Sequence, residues 1–205
     1  MFGGTFDPPH RGHLAVAAGA RDRLALDRVL LVVSNDPWQK TPQRAITPAA
    51  DRLAMVKAMV RGADARVSAR LEVSDIEIRR GGPSYTVTTL RELAAAEPHA
   101  ELFLIIGRDL VEGFSNWQES AAIERLATVV VADRPRHAAP PRAGWQVLDI
   151  DLVDASSTAL RERLRAGEDV SSDVPPAVLA EIHSRHLYGS SDEHLASTSD
   201  FGRRS

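Results

Sequence analysis

The sequence predicts an α/β fold in which a parallel β-sheet carries helices on both faces. Three short apolar runs are typical of strands buried on both sides, at 28–34 (RVLLVVS), 101–107 (ELFLIIG) and 127–133 (ATVVVAD). Helical patterns lie between these runs. Strands that alternate with helices indicate βαβ units joined by right-handed crossovers.

Five segments have the periodicity and the end signals of helices. The second has Thr47 as its candidate N-cap, Pro48 at its first helical position and Gly62 at its end. By contrast, residues 73–78 (VSDIEI) alternate between apolar and polar, which predicts a half-buried strand. The predicted helices span residues 12–26, 47–62, 86–98, 156–167 and 175–188.

The size and composition of the chain limit its class. Its 205 residues are enough for one domain, which we assign to residues 1–188. Residues 189–205 are rich in Ser, Asp, Gly and Arg, and we expect a disordered tail there. The chain has no cysteine, so disulfides, thiolate metal sites and cysteine nucleophiles are excluded.

The charge and hydropathy of the chain bear on its partners. The net charge is −3, and no apolar run approaches the roughly 18 residues that span a membrane. We therefore expect a cytoplasmic protein that binds neither nucleic acid nor a membrane. Assembly into a homo-oligomer is left open.

Residues 3–13 (GGTFDPPHRGH) form an unusual opening segment. An open parallel sheet binds ligands at the carboxyl ends of its strands, and glycines there let backbone N–H groups approach a phosphate. Gly3, Gly4 and Thr5 suit that role, and His10 and His13 follow at the start of a predicted helix. The pattern indicates an anion site that is neither a P-loop nor a G-x-G-x-x-G loop.

Residues 3–13 resemble the H-x-G-H signature of the nucleotidylyltransferase superfamily, whose members have a Rossmann-like fold. Residues 156–161 (SSTALR) resemble its second signature, S-S-T-x-x-R. Three more stretches resemble the bacterial nicotinate-nucleotide adenylyltransferases, at 35–40 (NDPWQK), 81–93 (GGPSYTVTTLREL) and 105–117 (IIGRDLVEGFSNW). The resemblance implies transfer of the adenylyl group of ATP to nicotinate mononucleotide, which yields deamido-NAD and pyrophosphate.

The resemblance also implies a role for each matching position. Expected ATP-binding residues are Gly4, Thr5, Phe6, Gly107, Asp109, Arg134, Ser157 and Thr158. Expected catalytic residues are His10, His13, Lys40 and Arg161. Expected contacts of nicotinate mononucleotide are Thr86 and Trp117, and Mg²⁺ is expected on the ATP phosphates with no metal site built by the protein.

The chemistry of these residue types agrees with those roles. The attacking acceptor phosphate is already ionised at neutral pH, so the reaction needs positive charge and N–H donors rather than a general base. We expect His10, His13, Lys40 and Arg161 to supply them. A tryptophan can stack on a pyridine ring, and a threonine hydroxyl can bind its carboxylate.

Several alternatives stay open. The chain could use phosphopantetheine as acceptor, or it could be a catalytically silent nucleotide-binding regulator on the same fold. Arg108 either reaches a phosphate or is solvated, and Trp38 either covers the site or pins its loop. His183 and His186 have a spacing that can serve a metal, without an evident third ligand.

The first strand is predicted to be unusually short. Only Met1 and Phe2 precede Gly3, so we expect pairing to stop at Phe2. A central strand that short leaves ladder groups on its neighbours unpaired. We therefore expect that the natural protein begins several residues upstream of Met1.

Overall fold

The structure, a computed structural model, describes residues 1–38, 45–133, 142–150 and 155–189. In this part of the chain six strands form one sheet in the order β3-β2-β1-β4-β5-β6, with every neighbouring pair parallel. The strands are β1 (Phe2–Gly4), β2 (Val29–Val33), β3 (Leu71–Ser74), β4 (Phe103–Gly107), β5 (Thr128–Asp133) and β6 (Gln146–Asp149).

The helices confirm the predicted alternation, although three helices, α3 (Ala65–Ser68), α4 (Ile76–Arg80) and α6 (Ser120–Leu126), and strand β6 were not predicted. Pro48, rather than Thr47, is the residue that precedes α2 (Ala49–Arg61), and Gly62 follows its end. The α-helices are α1 (Arg11–Arg23), α2 (Ala49–Arg61), α3 (Ala65–Ser68), α4 (Ile76–Arg80), α5 (Thr86–Ala96), α6 (Ser120–Leu126), α7 (Ser157–Arg165) and α8 (Pro176–Ser184). Short 3₁₀ helices cover Arg108–Leu110, Phe114–Asn116 and Leu187–Gly189.

The sheet has a hydrophobic core on each face, as the sequence predicted. Along β5, Val130 and Ala132 belong to one core and Val129 and Val131 to the other, because alternate side chains of a strand point to opposite faces. The first core includes residues of α1, α2, α7 and α8, and the second includes residues of α5 and α6. Trp145 is buried in the second core.

β1 is longer than predicted. Gly3 pairs with Val32 and Gly4 with Val33, so the prediction that pairing stops at Phe2 is wrong. A glycine lacks a side chain but keeps the backbone N–H and C=O groups that a ladder requires.

The prediction of a strand over residues 73–78 is wrong in its second half. β3 ends at Ser74, and α4 begins at Ile76. The carbonyl of Asp75 accepts the Arg79 N–H at 2.9 Å, and its carboxylate accepts Arg79 Nε at 2.9 Å. A six-residue alternation is too short to outweigh such local contacts.

The strand order places a crevice beside β1. The chain runs outward from β1 through β2 and β3 on one side and from β4 through β6 on the other. Open α/β sheets bind ligands at such a reversal, outside the carboxyl ends of the strands. Here those ends are Gly4 of β1 and Gly107 of β4.

Candidate active site

The carbonyl groups at the end of β1 and in the loop that follows accept hydrogen bonds from neighbouring residues. Ser34 donates to the Gly4 carbonyl from its N–H at 3.0 Å and its Oγ at 3.1 Å, and Arg52 Nη1 donates to the Thr5 carbonyl at 2.9 Å. The C=O and N–H of a trans peptide point in opposite directions. The N–H groups of Thr5 and Phe6 therefore face away from these donors, which suits the predicted contacts with phosphates.

Close packing at this loop requires a glycine. Phe6 is buried and has a φ of 51°, in the left-handed region that is unfavourable for a non-glycine residue. A Cβ on Gly4 would lie 2.9 Å from Cζ of Phe6, so any side chain there displaces the Phe6 ring. Strained backbone held by its surroundings is common at functional sites.

His10 and His13 form a pair at the start of α1. The His10 N–H donates to Nδ1 of His13 at 3.1 Å, and the two ring centroids are 3.8 Å apart. Because Nδ1 of His13 is an acceptor, the ring proton lies on Nε2. His13 can therefore donate an N–H from Nε2 to a phosphate oxygen.

His10 is neutral at physiological pH. It is 7% exposed, and burial lowers its pKa to about 4, although the nearby Asp173 opposes that shift. His10 therefore does not supply the positive charge expected of it and can act on the phosphates only through hydrogen bonds.

The second signature meets the first in space. Ser157, at the start of α7, donates its Oγ to the Pro8 carbonyl at 3.0 Å. Arg161 is 5% exposed and donates Nη1 to the carbonyls of Asp7 at 2.7 Å and Ser157 at 3.0 Å. Its Nη2 donates to Oγ1 of Thr158 at 3.1 Å. Arg161 thus holds the loop that was predicted to bind phosphates.

A third contact to this loop comes from Tyr188. Its hydroxyl donates to Oδ1 of Asp7 at 2.7 Å. Burial, together with the Asp7 carboxylate, raises the pKa of the Tyr188 hydroxyl, so the tyrosine stays protonated and donates. No motif in the sequence indicates this contact.

A cavity joins the loop to the predicted pyridine-binding residues. Its volume is about 120 Å³. Gly4 and Thr5 line it together with Thr86 and Trp117, so both predicted contacts of the nicotinate ring open onto the phosphate loop. Trp38 lines the cavity too, and so do Glu77, Ser84 and Tyr85, which were not assigned to the site from the sequence.

Trp117 is supported from behind by other aromatic rings. The Phe114 ring lies 5.2 Å from Trp117 and 4.7 Å from Trp145, and Phe114 and Trp145 are both buried. Trp38 lines the same cavity with its ring 6.0 Å from that of Tyr85, which agrees with its reading as a cover of the site.

Gly107 and Asp109 lie at the end of β4. A Cβ on Gly107 would lie 2.5 Å from Oδ1 of Asp109, so that carboxylate packs directly over the glycine. Between them Arg108 is 41% exposed at its side chain, and its Nη1 lies 3.4 Å from Oδ2 of Asp133. Arg108 therefore pairs with a carboxylate at the end of the neighbouring strand.

Other predicted features fall outside this geometry. Lys40, Arg134 and residues 190–205 of the predicted tail lie outside the described residues. Across the ranges that the structure covers, no group of three His, Cys, Asp or Glu side chains is placed to hold a metal, His183 and His186 included. No helix in those ranges is both long and apolar enough to cross a membrane.

The fold and the loop define a class of protein, an α/β nucleotide-binding protein of the Rossmann-like kind. The family model described as cytidylyltransferase-like matches residues 1–163. A probable nicotinate-nucleotide adenylyltransferase of Streptomyces coelicolor is 40% identical over 191 residues, which cover 91% of this chain and 98% of that protein. A relative of the same name in Corynebacterium kroppenstedtii is 38% identical, over 92% of this chain and 89% of that one.

A solved structure agrees with this fold. The nicotinic acid mononucleotide adenylyltransferase of Plasmodium falciparum, complexed with NaAD, superposes with a TM-score of 0.78 at 16% identity, over 92% of this chain and 95% of that one. The chain belongs to the cytidylyltransferase-like family and, within it, to the nicotinate-nucleotide adenylyltransferases.

Proposed function

We propose that this protein transfers the adenylyl group of ATP to nicotinate mononucleotide, releasing pyrophosphate and forming deamido-NAD in NAD biosynthesis. The observation that carries the proposal is the shared cavity, because it places Thr86 and Trp117 next to Gly4 and Thr5. A pyridine ring bound by the first pair has its phosphate directed toward the loop that suits the phosphates of ATP.

In the reaction, an oxygen of the acceptor phosphate attacks the α-phosphorus of ATP. The bond from that phosphorus to the bridging oxygen breaks, and the electron pair leaves with pyrophosphate. The N–H groups of Thr5 and Phe6 and Nε2–H of His13 donate to oxygens whose charge grows in the transition state. No proton has to be removed, which agrees with the pKa of about 4 at His10, because a base with so low a pKa accepts a proton poorly at neutral pH.

The remaining roles follow the positions of the residues. Ser157 and Thr158 at the start of α7 bind the triphosphate, where the positive end of the helix dipole favours an anion. Gly107 and Asp109 bind adenosine at the end of β4. Arg161 stabilises the loop that receives the phosphates. Lys40 remains a predicted catalytic residue, and Arg134 remains a predicted contact of ATP.

A divalent metal fits this site as part of the substrate. The loop offers N–H donors, which bind phosphate oxygens and not cations. We infer that Mg²⁺ is held by the ATP phosphates themselves, where it would neutralise part of the charge on the leaving pyrophosphate.

The test is pyrophosphate release from ATP and Mg²⁺ with one acceptor at a time. We expect release with nicotinate mononucleotide, and the same assay with nicotinamide mononucleotide measures the preference for the acid. The matched control is His13→Ala, which separates this activity from contaminants. Release with phosphopantetheine alone would identify another transferase, and binding of ATP without turnover of any acceptor would identify a regulator.

A further inference from the structure

Arg52, in α2, is the largest fully buried side chain of the described residues, with 1% of its surface exposed. We propose that Arg52 is a positioning residue that fixes the phosphate loop relative to the pyridine cavity. The proposal rests on the function proposed above and adds the element that aligns the two substrates.

The guanidinium of Arg52 connects three separate segments of backbone. Nη1 donates to the Thr5 carbonyl at 2.9 Å, Nη2 to the Asn35 carbonyl at 3.1 Å and Nε to the Thr47 carbonyl at 2.7 Å. A guanidinium is a rigid planar fork, so three carbonyls bound to it have fixed positions relative to one another. A lysine ammonium offers its donors from a single nitrogen and cannot span the same set.

The second of these carbonyls leads directly to the pyridine cavity. Asn35 donates its N–H to Oγ of Ser84 at 2.8 Å and its Nδ2 to the Gly82 carbonyl at 2.9 Å. Ser84 lines the cavity and is followed in the chain by Tyr85 and Thr86, which line it as well. The link from Arg52 to the cavity therefore passes through one residue, Asn35.

The geometry assigns Arg52 an effect on alignment. Thr5 belongs to the loop proposed to bind the ATP phosphates. Asn35 is hydrogen-bonded to Gly82 and Ser84, next to the residues proposed to bind the pyridine nucleotide. Transfer requires the acceptor oxygen and the α-phosphorus to approach in line, and a small misplacement of either costs much of the rate. If the link is loosened, each substrate can still bind in its own half of the site, but the acceptor oxygen and the α-phosphorus are no longer held in line.

The test compares Arg52→Lys with a matched control, Arg21→Lys. Arg21 is also buried and also donates to two backbone carbonyls, of Val67 at 2.9 Å and Ala69 at 2.7 Å, away from the cavity. We expect Arg52→Lys to lower kcat by about 10- to 100-fold. The Kd values of ATP and of nicotinate mononucleotide, each titrated alone, should change less than about threefold, because either half-site can still form.

Arg21→Lys should lower the melting temperature without lowering kcat. The proposal is overturned if Arg52→Lys keeps its kcat, if Arg21→Lys loses as much kcat, or if the affinity for ATP falls by the same factor as kcat. Should Arg52→Lys fail to fold, the double substitution Asn35→Ala with Ser84→Ala tests the same link, since it removes both bonds from Asn35 to the cavity wall, to the Gly82 carbonyl and to Oγ of Ser84. It is expected to lower kcat in the same selective way but less, and an unchanged kcat overturns the proposal.

A readout independent of turnover separates this proposal from the proposed function. In the protein without substrates, amide hydrogen exchange over residues 82–86 should accelerate in Arg52→Lys but not in Arg21→Lys. Equal exchange in the two variants counts against the link. If the unmodified protein releases no pyrophosphate with nicotinate mononucleotide, the proposed function fails, and the exchange comparison still decides whether Arg52 fixes the cavity wall.

Discussion

Replacing His10 with glutamine should remove a specific part of the pH dependence of stability. In the unfolded chain this imidazole takes up a proton near its ordinary pKa of 6.5, whereas in the folded protein burial lowers the pKa to about 4. Between these values the unfolded state binds more protons, so the free energy of unfolding falls as the pH falls. Over this range each pH unit changes the free energy of unfolding by about 1.4 kcal/mol, so this free energy falls by about 3 kcal/mol between pH 6.5 and pH 4.

The assay is urea denaturation at intervals from pH 7.5 to pH 4 for the unmodified protein and for His10→Gln. Taking the difference between the two removes the contribution of carboxylates common to both. We expect the difference to be constant above pH 7 and to shift by about 3 kcal/mol in favour of the variant by pH 4. His99→Gln, at an exposed position, is the control and should run parallel to the unmodified protein. Parallel curves for His10→Gln as well would refute the reasoning that burial keeps this imidazole neutral.

Three further substitutions test the site. His13→Ala should lower kcat by a factor that corresponds to a loss of about 2–4 kcal/mol of transition-state stabilisation, with a smaller effect on ATP binding. Near-normal turnover in steady-state kinetics would show that His13 is a structural residue. Trp117→Ala should raise KM for nicotinate mononucleotide by a factor that corresponds to a loss of about 1–3 kcal/mol of stacking, and it should leave KM for ATP unchanged. Equal changes in both KM values would indicate a loss of fold. Gly4→Ala should weaken ATP binding, measured by calorimetry, because its Cβ would lie 2.9 Å from the Phe6 ring. The control Gly113→Ala adds a Cβ with no heavy atom within 4 Å beyond its own residue and the two adjacent ones, and an equal loss there would contradict the steric argument.

The sheet could be predicted largely from the sequence because its inner strands are buried on both faces. Such strands are continuous apolar runs, and β2, β4 and β5 stand out for that reason. β6 lies at the edge of the sheet and has two exposed residues of four, so its pattern is weak. The turn from β3 into α4 was missed because alternation over a few residues fits a strand as well as a short helix.

The site was predictable where a motif is local in the chain and not where it depends on tertiary contacts. His10, His13, Ser157 and Arg161 belong to contiguous signatures. Arg52 looks like an ordinary charged residue on a helix surface, since charged side chains are mostly exposed. It donates to the nearby Thr47 carbonyl and also to the carbonyls of Asn35 and Thr5, which are 17 and 47 positions away and which only the folded chain brings to it.

The contacts behind the phosphate loop have a consequence for biosynthesis. Pro8 accepts a hydrogen bond from Ser157, which lies 149 positions further along the chain. Asp7 accepts hydrogen bonds from Arg161 and Tyr188, which lie 154 and 181 positions further along. Contacts of such separation form late, because the entropy of closing a long loop must be overcome first. A chain still emerging from the ribosome can therefore pair β1 with β2 long before α7 and Tyr188 exist to brace the loop between β1 and α1. The loop between β1 and α1 is therefore made before the residues that brace it, and a nascent chain cannot capture ATP until α7 and Tyr188 have been made.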